Sequence, residues 1–199
     1  MNMNIATSFI VGGLLLISII TLNIQVSQFG NSSTLDITTK QRFETLTDLL
    51  ENDIRKIGQD LPGGTQPFIT LQEKTIRFRS DTFFGDDRPF SVVTWDFNDT
   101  KEYSASSNPN DFELTRQDNV PPASGANKEV FAVTHFKVSY LNHSGTEVAN
   151  LPADQNLVRQ IKIEFIMESE VPVMQNASGE NVYEQLVYSK SFYPPNLQF

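Results

Sequence analysis

No ionisable side chain occurs before Asp36. Within that stretch residues 5–26 read IATSFIVGGLLLISIITLNIQV, in which 16 of 22 positions are apolar or glycine. As a helix this run rises about 33 Å, enough to cross a hydrocarbon layer of about 30 Å. A transmembrane helix is therefore expected over residues 1–27. Two other segments share the composition. A buried core helix is usually shorter and carries a polar face. A cleaved secretory signal has a shorter apolar core, a basic leader and a small-x-small site. Here the leader is MNMN, without Lys or Arg, and no Ala-x-Ala follows, so retention of the anchor is favoured. Ser8 and Gly12 form a small-xxx-small pair with Gly13 beside it, a spacing that lets helix backbones approach closely.

Residues 28–38 begin QFGNSST, a small, polar stretch expected to act as a hinge, because Gly30 weakens a helix and Asn and Ser compete for backbone hydrogen bonds. Helical periodicity returns over residues 39–60. Phe43, Leu46, Leu49, Leu50, Ile54 and Ile57 line one face, while Lys40, Arg42, Glu44, Asp48, Glu51, Asn52, Arg55 and Lys56 occupy the other. That stripe predicts an amphipathic helix laid on something apolar. Phe43, Leu46, Leu50, Ile54 and Ile57 are the expected contacts with a sheet. The run LPGG at 61–64 closes the pattern.

From residue 61 to 199 the period becomes two. Strands are expected at 75–79 (TIRFR), 90–97, 111–116, 130–140, 158–168 and 183–193, with turn chemistry between them at 85–89, 106–110, 121–122, 142–145 and 176–179. In the fourth run Val130, Ala132, Phe136, Val138 and Tyr140 share a face; in the fifth Ile161, Ile163, Phe165 and Met167 do. One-sided alternation of this kind belongs to antiparallel strands covered on one face. The fold class is α+β: an N-terminal transmembrane helix continuing into an amphipathic helix packed on an antiparallel β-sheet.

Composition narrows the function. With 24 acidic and 15 basic residues the chain has a formal charge of -9, a surface that repels phosphate backbones, and no nucleic-acid partner is expected. The absence of cysteine removes disulfides, thiolate nucleophiles and zinc ribbons. The two histidines, His135 and His143, fall mid-strand and in a turn. No phosphate-cradling glycine loop or nucleophile elbow is present, and neither an enzyme nor a cofactor is expected. The acidic group Asp81, Asp86 and Asp87, with Asp96 and Asp99 a strand later, fits no EF-hand spacing. It reads first as an acidic loop, with calcium as the alternative.

An uncharged helix running into an amphipathic one and then a β domain resembles the type IV pilin and pseudopilin superfamily. In style it is closest to the J-type minor pseudopilins and related minor pilins. The strings that carry the resemblance are LTDLLENDIRKIG at 46–58, TIRFRSD at 75–81, VTHFKVSYLNHSGTEV at 133–148 and LVRQIKIEFIMES at 157–169. The sequence departs from the family in three places: it lacks the basic leader, it has Leu14 rather than an aromatic residue after Gly12-Gly13, and it has no glutamate before Glu44. Lacking a carboxylate in the apolar run, the helix inserts more favourably by about 2.5–3.5 kcal/mol.

The resemblance implies a pilin-like fold and a non-catalytic structural subunit, acting by helix-mediated assembly in a membrane or filament such as a secretion system's. Its partners would be other pilin-like subunits, copies of itself and the lipid bilayer. It also implies a β domain outside the cytoplasmic membrane, periplasmic or at the cell surface. A literal count of the basic residues Lys40 and Arg42 would place that domain inside. The alternative function is a single-pass anchored binding protein or adhesin that does not polymerise.

Overall fold

The computed structural model describes residues 3–61, 64–80, 91–119 and 127–197, with backbone alone at 3–8, 27–29 and 31–36. The chain divides into two compact units, Met1–Thr38 and Thr39–Phe199. One helix, α1 (Met3–Arg55), contributes to both. The expected hinge at 28–38 is helical, and the boundary between the units falls at its end.

In the first unit the segment Phe9–Val26 is long and apolar enough to cross a membrane, and none of it is buried in the protein. Phe9 is 78% exposed and Leu15 58%. Its hydroxyls are satisfied locally: Ser18 Oγ donates to the Leu14 carbonyl and Thr21 Oγ1 to that of Ile17, both at 2.9 Å. Such i−4 bonds remove the main penalty for a hydroxyl in hydrocarbon.

The second unit wraps the last turns of α1 in antiparallel sheet. Helical hydrogen bonding stops at Arg55 rather than near residue 60, and Gly58 turns the chain at φ +72°. A Cβ on Gly58 would stand 3.3 Å from side-chain atoms of both Asn196 and Pro67, so the position needs glycine for its backbone and for its space.

The first sheet holds five strands in sequential order: β1 (Phe68–Leu71), β2 (Thr75–Ser80), β3 (Ser91–Glu102), β4 (Phe112–Asp118) and β5 (Asn127–Val133). The second places β7 (Gln160–Glu168) between β6 (His135–Leu141) and β10 (Gln185–Phe192). A two-stranded ribbon, β8 (Met174–Gln175) with β9 (Asn181–Val182), lies between β7 and β10 in the chain. Every pairing is antiparallel.

Two features differ from the sequence reading. β1 carries no clear alternation and was not expected. The run 130–140, expected as one strand, is two strands in different sheets. The break is Thr134, whose N–H donates to the Ile166 carbonyl at 2.9 Å. There the inward parity switches: Val133 is buried before it, and Phe136, Val138 and Tyr140 after it.

The core fills the space between the sheets and α1. Trp95, Phe78, Phe136 and Phe165 are its largest fully buried side chains, and Leu46, Leu50, Ile54 and Ile57 belong to the same cluster at 0% exposure. Burying each such aliphatic side chain is worth about 1.5–3 kcal/mol.

Candidate functional site

Two parts of α1 bear on function: the uncovered apolar length in the first unit and the embedded length in the second.

Along the first, Gly12 and Gly13 have open space where a Cβ would stand. A Cβ meets no obstacle among the described residues at either position. The backbone of Ser8 is helical, but its side chain lies outside the described residues.

Along the second, each flank of α1 engages one sheet. Phe43, partly buried, packs its ring 5.3 Å from Phe165 and 6.4 Å edge-on to Tyr188, while Phe165 and Tyr188 stack at 4.8 Å. Aromatic pairs at such separations add to area burial. Glu51 extends the contact with β10, accepting from Tyr188 Oη at 2.9 Å and Lys190 Nζ at 2.6 Å. The bond from Lys190 holds the Glu51 carboxyl below its usual range. Burial first, and then donation to Glu51, push the Tyr188 phenol upward. Arg42 pairs with Glu170 beyond the end of β7.

On the other flank Asp53, only 3% exposed, is the hub of a buried polar cluster. It accepts from Trp95 Nε1 at 3.0 Å, from Arg116 Nε at 2.7 Å and from Arg116 Nη2 at 3.1 Å. Arg116 Nη1 donates to Asp118 at 2.6 Å, and Asn127 Nδ2 donates to Asp118 at 2.9 Å. Burial alone would discourage the Arg116 charge, but Asp53 and Asp118 outweigh it and hold the guanidinium more firmly charged than usual. The fork geometry of arginine on a carboxylate fixes direction as well as distance. Helix α1 is thereby registered against β3 and β4.

The sequence reading missed this cluster although its signal was present. Asp53 stands three residues after Leu50 and seven after Leu46, on the apolar stripe; Arg116 and Asp118 share the inward parity of Leu114.

A second polar seat joins the loop after β3 to the end of β7. Asn108 Nδ2 donates to Glu168 Oε2 at 2.9 Å and to the Ser169 carbonyl at 3.2 Å, and Asn110 Nδ2 reaches the same Glu168 oxygen at 3.3 Å. Asp111 accepts from Ser106 Oγ at 2.5 Å on one oxygen, while the other is buried without a hydrogen-bond partner. Burial raises its carboxyl to about 6; Glu168 and Glu170 add to the rise, and Ser106 and Arg42 oppose it.

Of the remaining sequence-level sites, Asp81, Asp86 and Asp87 lie outside the described residues. Asp96 accepts from Thr75 Oγ1 and Asp99 pairs with Lys74. Among the described residues no group of three or more His, Asp or Glu side chains is placed to hold a metal ion. His135 is exposed at the start of β6, and His143 is exposed in the turn that Asn142 organises through Oδ1. Asn176 organises the β8–β9 turn in the same way.

Compared with protein-family models, curated proteins and solved structures, the chain finds no match in any of the three.

Proposed function

We propose that this chain is a membrane-anchored, non-catalytic structural subunit of pilin-like build, which works by assembling with like subunits through the first part of α1. The observation that carries the reading is the division of labour along one helix. Phe9–Val26 presents apolar side chains on every side with nothing of its own chain covering them, whereas Leu46, Leu50 and Ile54 of the same helix are sealed inside a β unit. An exposed apolar length of this size needs lipid or protein around it. The small residues at 8, 12 and 13 supply a face on which a neighbouring helix can approach. The far end of the same helix is part of the β unit's core, so anchor and β unit share one continuous element.

The test uses the chain's lack of cysteine. Single cysteines placed by Ser8→Cys and Gly12→Cys are crosslinked in intact membranes. Crosslinks between helices of neighbouring copies, or to a second subunit, are expected. Efficient labelling with only monomers recovered overturns assembly and leaves an anchor that serves as a tether alone.

A further inference from the structure

A cavity of about 200 Å³ opens in the second unit, between residues 64–67, the 3-10 turn Gln155–Leu157 with the residues after it, and Leu197. Its floor is apolar: Phe68, Val158 and Leu197 are 4%, 1% and 2% exposed. Its rim carries hydroxyl and amide groups from Thr65, Gln155 and Asn156, and one charge, that of Arg159. Among the described residues no carboxylate lines it, in a chain whose acidic residues outnumber its basic ones by nine.

Arg159 is held in place rather than neutralised. Its Nη1 donates to the carbonyls of Asn156 at 2.7 Å and Val158 at 2.9 Å, which fixes the plane of the guanidinium. Nε and Nη2 have no partner among the described residues, and no ion pair there includes Arg159. The backbone of the rim is held from β2: Arg79 Nη1 donates to the Gln66 carbonyl at 2.9 Å, and its backbone N–H to that of Pro67 at 2.7 Å.

A pinned arginine with a free edge, neutral donors beside it and an apolar floor is the recognition chemistry of a carboxylate with a hydrocarbon tail. Size sets the tail. At roughly 30 Å³ per water the cavity holds about six or seven water volumes, the bulk of a ligand of about seven non-hydrogen atoms. A strongly hydrated phosphate dianion gains nothing from the apolar floor, and a single guanidinium at the mouth matches a single negative charge. We propose that this cavity is a binding site for a small monocarboxylate, its carboxylate on Arg159 and its aliphatic tail against Phe68, Val158 and Leu197.

The test is a titration of the full-length protein in detergent micelles, followed by NMR of the Arg159 Nε–H and of the amides of Thr65 and Asn156. Pentanoate is expected to shift all three saturably. Pentanamide, of the same shape without the charge, is expected to bind at least roughly tenfold more weakly, the size of a charged hydrogen bond. Arg159→Gln is expected to weaken pentanoate by a similar factor. Asn156→Asp, which puts a negative charge at the mouth while keeping the Arg159 contact to the backbone, is expected to abolish binding and serves if the first variant fails to fold. Equal binding of acid and amide, no effect of either variant, or phosphate preferred over pentanoate each overturns the assignment. A peptide ending in a free carboxylate that binds where pentanoate does not also overturns it, because the site would then read a chain terminus and not a small acid.

Discussion

Asp53 shows how one charged residue can fix the register of a helix. Its carboxylate meets the Trp95 indole and two nitrogens of Arg116 at once, and a helix rotated by one residue loses all three. Removing one partner of a buried pair strands the other. Asp53→Ala is therefore expected to lower unfolding stability by about 3–5 kcal/mol, measured by denaturant titration in micelles. Trp95→Phe, which gives up one hydrogen bond and part of the indole's buried volume but leaves the Asp53–Arg116 pair intact, should lose less.

Asp111 makes the opposite case. Its carboxyl is raised from the ordinary 3.8 to about 6 by burial beside Glu168 and Glu170, so the folded chain binds a proton that the unfolded chain has released. That contribution to stability is complete below about pH 4 and is lost as the pH rises through 6. Asp111→Asn should flatten the dependence of stability on pH between 4 and 6 and raise stability at neutral pH by about 2–3 kcal/mol. A variant that keeps the wild-type slope would show that Asp111 is not the titrating group.

Composition treats a charge as surface by default. Asp53's place on the apolar stripe marks it as inward, whereas Asp111 stands just before β4 and out of phase with the inward Leu114, Arg116 and Asp118, so no period marks its burial.

The elements were far more legible than the charges within them. The stripe of Leu46, Leu50 and Ile54 could be read because helix period and burial coincide there, and β2, β3, β4, β7 and β10 were found because one face of each is covered. The failures have local causes. β1 is four residues long, too short to show a period. The bend at Thr134 leaves no mark in the sequence, because a β-branched residue reads as strand on either side of a corner. Leu50→Ala should cost about 2–5 kcal/mol as a core truncation. Val187→Thr, on the 66% exposed face of β10, should change stability by less than about 0.5 kcal/mol. In the first part of α1 the pressure is on polarity rather than volume. Leu16→Arg places a charge mid-span at about 3 kcal/mol on the insertion scale, and the membrane-bound fraction of newly made protein should fall. Leu16→Val should leave it unchanged.

At the scale of the whole molecule the chain joins two units that need different surroundings. Thr39–Phe199 has its own core and its own buried polar clusters. In Met1–Thr38 the segment Phe9–Val26 is apolar and unburied. A structural subunit makes sense of that pairing, since the unit without a core gains one only from lipid and neighbours. The decisive quantity is where the mature chain begins and where it resides. Intact-mass measurement of the protein from fractionated cells, with alkaline extraction of the membranes, reads both at once. An anchored subunit keeps residues 9–26 and stays in the extracted membrane pellet. A mature chain beginning near residue 27 and recovered entirely in the soluble fraction would contradict anchoring, and with it the assembly built on that helix.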